Sequence, residues 1–293
     1  MAAGSQEYLR TTVDGGVADV VIDNPPVNLL TPPLFGALSR LADEAQADDR
    51  VRVVVLRSAN PEWWIAHYDV EAILRMPRET PPSRRAELQA FHALCERFRT
   101  MPKATIACIA GRVGGGGAEL AASCDMRFGA LGRTVIAQME VALGILPGGS
   151  GTQRLPWLVG RGRALEIILG SDDLDAATAE RWGWLNRALP PDELDGFVTR
   201  LARRIASFSP AAIGAAKAAV VAAEPAPDPG LREEAYLLET LVRTPEAHAA
   251  MTRFLELGGQ TPDGERRVSE ISAEAAAAGA IDELATPDRS RPA

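Results

Sequence analysis

The chain has 293 residues, 46% hydrophobic and 24% charged. That is the balance of a soluble globular protein, and its length calls for a large core or a core with an appendage. A formal net charge of −8 and a pI near 5.1 argue against a dedicated nucleic-acid binder, whose surface concentrates lysine and arginine.

The N-terminus shows no basic region followed by an apolar run, and the longest uncharged stretch, 24–39, is interrupted by four prolines. Neither a secretory signal nor a membrane span is expected, and the chain reads as cytoplasmic. Cys95, Cys108 and Cys124 are odd in number and lie in apolar or helical surroundings. They read as reduced, buried thiols.

In chain order, residues 17–22 (VADVVI), 51–56 (VRVVVL) and 104–110 (ATIACIA) are short runs rich in β-branched residues, the pattern of mostly buried strands. Between them, 33–48 and 83–99 carry apolar residues at helical spacing, the second through Leu88, Phe91, Leu94, Cys95 and Phe98. Both read as helices. Ahead of the second, Pro81 and Pro82 with Arg78, Arg84 and Arg85 read either as a mobile basic surface element or as a solvated helix start. Residues 126–128 and 134–137 are further strand candidates, and the alternation predicts an α/β fold. Strand signals stop after about Ser209. Residues 210–223 and 233–257 read as helices, the latter punctuated by Thr244-Pro245. The expected organisation is a core at 1–205 holding the active site, a helical subdomain at 206–265, and a frayed tail at 266–293.

The most informative segment runs from Gly111 to Leu120, GRVGGGGAEL. It follows a strand and opens a helix. Four consecutive glycines let a ligand touch the main chain and leave backbone N–H groups at a helix N-terminus aimed at negative charge. A P-loop is excluded because no lysine follows, and the dinucleotide pattern G-x-G-x-x-G is not met. Glu119, right behind the glycines, either caps the helix or stands as a base beside a bound oxyanion. The second segment, 139–154 (MEVALGILPGGSGTQR), places Glu140 in an otherwise apolar stretch before a glycine-rich turn. The serine-hydrolase elbow G-x-S-x-G fails there, because Thr152 replaces its last glycine.

Together these segments resemble the paired signatures of the crotonase (enoyl-CoA hydratase/isomerase) superfamily. The first matches G-x-x-x-G-G-G-x-E-L at Gly111, Gly115, Gly116, Gly117, Glu119 and Leu120. The second matches E-x-x-x-G-x-x-P-G-x-x-G-T-Q-R-L from Glu140 through Leu155. Further similarity lies at 24–29, 158–161, 179–186, 210–217 and 244–248, so the likeness spans roughly residues 12–257 in the family's order and spacing.

The resemblance implies a spiral of strand–strand–helix units with an all-helical C-terminal subdomain that mediates self-association, as a homotrimer or hexamer. It implies an oxyanion hole made of the Tyr68 and Gly116 backbone N–H groups, with Glu119 and Glu140 as the catalytic acid/base pair. Asn28, Leu29, Ala66, His67, Gly115 and Gly148 are implied as substrate-binding positions. The implied substrate is an acyl-CoA or an acyl-carrier thioester, with no cofactor and no metal, and the partner is a small molecule rather than nucleic acid or membrane. The pair of glutamates favours hydration of a 2-enoyl thioester. Isomerisation, decarboxylation and thioester hydrolysis are the alternatives within the superfamily, and a non-catalytic scaffold binding acyl groups or RNA is the alternative outside it.

Two departures from the family pattern stand out. Common hydratases carry small residues where this chain has His67 and Tyr68, so the acyl pocket or the chain's path past the ligand must differ. His67 is read either as touching substrate or water, or as a locally hydrogen-bonded, packed imidazole. In the C-terminal helix, Leu257 stands where the family often has a phosphate-binding lysine, followed by an unusual Gly258-Gly259-Gln260 continuation.

Overall fold

The computed structural model describes residues 8–285. Ten strands are defined in that range: β1 (Leu9–Asp14), β2 (Val17–Ile22), β3 (Val53–Ser58), β4 (Trp63–Ile65), β5 (Ala104–Ile109), β6 (Arg112–Gly114), β7 (Met126–Ala130), β8 (Val135–Ala137), β9 (Leu174–Asp175) and β10 (Arg187–Leu189). They form a six-stranded sheet ordered β1-β2-β3-β5-β7-β10 and a four-stranded sheet ordered β4-β6-β8-β9. Within the larger sheet only the β1–β2 pair is antiparallel.

The path from one sheet to the other repeats. β3 leads to β4, β5 to β6 and β7 to β8, and helices follow each pair, at Val70–Leu74 and Ala90–Thr100, at Gly115–Ser123, and at Gly151–Val159 with Arg161–Gly170. This is the strand–strand–helix spiral. Parallel strands joined by helices are covered on both faces, and β5 is accordingly buried along its whole length. One apolar core lies between the sheets and helix Pro32–Ala47, through Leu34, Leu38, Trp64, Leu94 and Phe98. A second lies under helix Pro191–Ala206, where Leu194, Val198 and Ala202 cover Val53, Val55 and Ile106. The three cysteines are free and buried.

After β10 the described chain is helical. Helix Pro245–Glu256 packs on the short turn Val141–Leu143 through Ala247, Met251 and Phe254. Three expectations are corrected here. The helix expected from residue 83 starts at Ala90. Pro81 and Pro82 break the chain before it, and the arginines that follow engage helix Asp228–Leu241 instead. Arg84 pairs with Glu233 and stacks 3.8 Å over the Tyr236 ring, and Arg85 meets Glu239. An additional strand, β1, forms at Leu9–Asp14 as a one-sided edge strand. The expected tail also begins differently, because Val268–Ala285 is a helix. Its alanine run has high helix propensity, and Val268, Ile271 and Ala275 dock one stripe of it on Met251 and Phe254. Residues 286–293 lie outside the described range.

Candidate active site

The two glycine-rich segments meet at a cavity of about 230 Å³. Its wall includes His67, Tyr68, Gly116, Glu119, Glu140 and Gly148, with Phe35, Phe91, Met139, Leu143 and Leu238 supplying apolar surface. An apolar cavity with a few convergent polar groups is the usual form of a small-molecule site.

Two residues of its wall, Gly116 and Tyr68, have backbone N–H groups that neither helix nor bridge pairing uses. Gly116 lies in the first turn of helix Gly115–Ser123, where the N–H has no partner within the helix and carries the positive end of its dipole. Tyr68 makes a parallel bridge with Leu30, in which the Leu30 N–H donates to the His67 carbonyl and the Asp69 N–H donates to the Leu30 carbonyl. In that pattern Tyr68 turns its own N–H and C=O the other way. A methyl group built on Gly116 would sit 3.3 Å from Tyr68 Cβ and 3.0 Å from Phe91 Cε1, so residues 68 and 116 adjoin and a side chain at 116 would need Phe91 or Tyr68 to give way.

The carboxylates come from either side. Glu119 is buried, and its Oε1 accepts the N–H groups of Gly149 (2.8 Å) and Gly151 (2.7 Å). Burial, reinforced by the negative charges of Glu140 and Glu234, raises its pKa well above the ordinary 4.5 against the pull of those two amides. Glu140 precedes the turn Val141–Leu143 and accepts from Gln138 Nε2 at 3.0 Å. Burial pushes its pKa up to about 7, while its hydrogen bonds and the charge of His67 oppose the shift.

A third buried carboxylate stands behind the cavity. Glu234, on helix Asp228–Leu241, accepts from Ser150 N at 2.7 Å, Thr152 N at 3.0 Å and His92 Nε2 at 2.8 Å, as well as from the Thr152 hydroxyl. Sequence reasoning missed Glu234 and His92. The available signal was the helical phase: Leu231, Glu234 and Ala235 share the buried face, where an acidic side chain needs a partner.

Of the predicted positions, the structure brings Glu119, Glu140, Tyr68, Gly116, His67 and Gly148 to one cavity. Asn28, Leu29, Ala66 and Gly115 are not on its wall. Asn28 is fully buried with a left-handed backbone (φ 52). Its amide is used up inside the protein, accepting from Asn24 N at 2.7 Å and donating to Ser58 Oγ at 2.7 Å and Trp64 O at 3.2 Å. It braces the 24–31 loop against β3 and β4. Gly115 (φ 43) stands one layer back, where an added Cβ would meet Glu140 Oε1 at 2.9 Å and His67 Cβ at 3.0 Å.

His67 is a packed, hydrogen-bonded imidazole. Its Nδ1 lies 2.7 Å from Tyr68 O and its Nε2 2.9 Å from Glu265 Oε1. The second departure meets the first at this point. Gly258 (φ 97) and Gln260 (φ 68) turn the chain after helix Pro245–Glu256, the Gln260 side chain accepts from Val70 N at 2.6 Å, and Glu265 follows onto His67.

The sequence profile described as "Enoyl-CoA hydratase/isomerase" matches residues 12–261. A short-chain-enoyl-CoA hydratase from Clostridium acetobutylicum is 31% identical over 245 residues, covering 83% of this chain and 92% of its own. A crystal structure from Streptomyces avermitilis, of a protein provisionally named an enoyl-CoA hydratase, is 38% identical with a TM-score of 0.83, covering 92% of this chain and 98% of the other. That of an enoyl-CoA hydratase from Bacillus anthracis is 27% identical with a TM-score of 0.67, covering 85% and 96%. The matched span contains both glycine-rich segments and both cavity carboxylates, and the chain belongs to the enoyl-CoA hydratase/isomerase family of the crotonase superfamily.

Proposed function

We propose that this protein adds water across the double bond of a 2-enoyl thioester, with Glu119 and Glu140 as the acid/base pair. The observation that carries this reading is the pair of buried carboxylates lining the same cavity as the adjoining residues 68 and 116, whose backbone N–H groups neither helix nor bridge pairing uses. The thioester oxygen accepts hydrogen bonds from those two N–H groups. One carboxylate removes a proton from water as the water oxygen bonds to Cβ of the alkene. The π electrons move through Cα to the carbonyl and form an enolate at the oxyanion site. The other carboxyl group delivers a proton to Cα, the thioester carbonyl re-forms, and the product is a 3-hydroxyacyl thioester. Water supplies both the hydroxyl group and, in net terms, the second hydrogen.

Each backbone donor at such a site is typically worth about 3 kcal/mol of transition-state stabilisation, and each acid/base role roughly 10²–10⁴-fold in rate. Two buried carboxylates with raised pKa values suit a pair that holds one proton between them near neutral pH, one acting as acid and the other as base. The reaction needs only substrate and water. The substrate is an acyl-CoA or carrier-bound thioester whose acyl part meets the apolar wall of Phe35, Phe91, Met139 and Leu238.

The protein acts as a homotrimer or a hexamer on this reading. Helix Pro210–Val221 has an apolar sequence and no buried residue, and it lines a second groove together with the exposed Trp157 and Phe208, a surface that a second copy would cover.

The test is to mix the protein with a 2-enoyl-CoA and follow loss of the conjugated thioester absorbance. Turnover is expected, and both Glu119→Gln and Glu140→Gln suppress it. A harmless Glu140→Gln would favour single-base isomerase or decarboxylase chemistry, and affinity without turnover across many chain lengths would favour a binding scaffold.

A further inference from the structure

The reaction above leaves one buried basic side chain of the cavity wall unused, His67. Its two neighbours are both acceptors. The Tyr68 carbonyl can only accept, and Glu265 Oε1 already takes the Gln260 N–H at 2.8 Å. Both ring nitrogens therefore carry hydrogen, and the ring is a cation paired with a carboxylate. Burial alone would strip that proton, but the charge and hydrogen bond of Glu265 outweigh it and hold the imidazole pKa raised. Reciprocally, Glu265 is held below the ordinary range despite its own burial.

The pair touches two parts of the reaction centre. His67 grips the C=O of Tyr68, while the Gln260 side chain takes the N–H of Val70. The turn around residues 260–265 thus clamps the segment that carries the Tyr68 amide. On its other side, His67 shares the space over Gly115 with Glu140 Oε1. Its charge opposes the rise in the Glu140 pKa.

We infer that His67 and Glu265 form a positioning pair for the reaction centre, in which the tethered imidazolium holds the Tyr68–Asp69 peptide, the neighbour of the one that carries the Tyr68 N–H, and presents a positive charge to Glu140. This rests on the roles proposed above for Tyr68 and Glu140. The other ionisable groups facing Glu140 are carboxylates, Glu119 from helix Gly115–Ser123 and Glu234 from helix Asp228–Leu241. The Tyr68 phenol, raised by burial, also lines the cavity. Helix Pro245–Glu256 packs on the neighbouring turn through Ala247, Met251 and Phe254, which bring no charge. Among these groups His67 is the cation.

The experiment uses the full chain and three variants, His67→Gln, Glu265→Gln and their double. Glu265→Gln is isosteric and keeps the contact if His67→Gln fails to fold. Nitrogen-15 NMR reads the His67 ring, and the carbon-13 carboxyl signal that disappears in Glu140→Gln reads the Glu140 midpoint. In the wild type both His67 nitrogens are protonated at pH 7. Either single change raises the Glu140 midpoint by about one pH unit or more, the usual effect of removing a nearby opposite charge, and the double change adds nothing further. With an enoyl-CoA, kcat falls about ten-fold or more while KM moves little, because an aimed oxyanion donor acts in the transition state. A neutral His67 ring, or a Glu140 midpoint that stays put while only thermal stability drops, overturns the inference whether or not the protein turns over substrate. Absence of turnover in the wild type would overturn the hydratase reading alone.

Discussion

Glu119 and Glu234 are joined by one four-residue turn: the amides of Gly149 and Gly151 donate to Glu119, and those of Ser150 and Thr152 donate to Glu234. Alternate peptides point to opposite carboxylates, so the turn is a strap with an anion on each side. The cavity carboxylate owes its position to a side chain 115 residues downstream that does not line the cavity. Glu234 also contributes negative charge that raises the Glu119 pKa.

The first prediction concerns that strap. Glu234→Ala leaves Ser150 N, Thr152 N and His92 Nε2 without their acceptor. Each buried donor left unpaired costs about 1–3 kcal/mol, so a drop of several degrees or more in Tm is expected by calorimetry. In Glu234→Gln the fold survives but the strap loosens, and kcat falls more than KM rises. Unchanged kcat in a folded Glu234→Gln protein would show that Glu119 does not depend on the strap.

A second prediction tests the crowding on the same turn. An added Cβ at Gly149 would lie 2.4 Å from Phe91 Cε1 and 2.7 Å from Glu119 Oε2. Gly149→Ala is therefore expected to push Phe91 or the Glu119 carboxylate aside, lowering kcat/KM by roughly 10²-fold, the cost of a displacement near 1 Å at a reacting group. Steady-state kinetics with an enoyl-CoA measures it, and retention of wild-type kinetics would contradict the placement of Glu119.

The third prediction is a pH dependence of stability. Glu140 titrates near 7 in the folded protein, against an ordinary glutamate value of 4.5. A raised carboxyl pKa means that the native state binds the proton more tightly than the unfolded chain. Its contribution to stability is fully present below about pH 4.5 and is lost as pH rises through 7. Integrated over that window the loss approaches about 3 kcal/mol. Glu140→Gln removes the titrating group, so it should be more stable than wild type at pH 8 and lose that advantage toward pH 4.5. Denaturant unfolding at both pH values checks this, and a difference that does not depend on pH would argue against a strongly shifted Glu140.

A fourth prediction concerns the C-terminal helix. Ending the chain after Arg267 uncovers the faces of Met251 and Phe254 that Val268, Ile271 and Ala275 cover. A buried side chain of the size of Val268 or Ile271 contributes about 1.5–3 kcal/mol, so the truncated protein should unfold at markedly lower denaturant concentration. An unchanged midpoint would mean that the helix adds no packing.

Much of this arrangement was legible in the residues. The β-branched runs that became β2, β3 and β5 announced themselves because such side chains fit a strand packed on one face, as in β2, or on both, as in β5. Glu119 and Glu140 stood out because each is an acidic residue beside a glycine-rich turn, in a spacing shared with a known family. Three kinds of feature stayed hidden. β1 pairs at a sheet edge and buries one face only, and four of the six residues of its sequence, LRTTVD, are polar. Helix Val268–Ala285 is rich in alanine, and among its described side chains the docking stripe is Val268, Ile271 and Ala275, small or medium in size. The buried pairs His92–Glu234 and His67–Glu265 have partners 142 and 198 residues apart, and no local pattern signals a contact of that range. Asn28 shows the converse limit: a residue sitting in a family-like motif is here absorbed by the loop it braces.

The most direct measurement is a crystal structure with a bound acyl thioester or a non-hydrolysable analogue. The hydration mechanism requires that the thioester oxygen accept hydrogen bonds from both Tyr68 N and Gly116 N at about 2.7–3.1 Å, with the Glu119 and Glu140 carboxylates beside the next two carbons of the acyl chain. A thioester carbonyl lying away from those amides, or either carboxylate turned from Cα and Cβ, would contradict it.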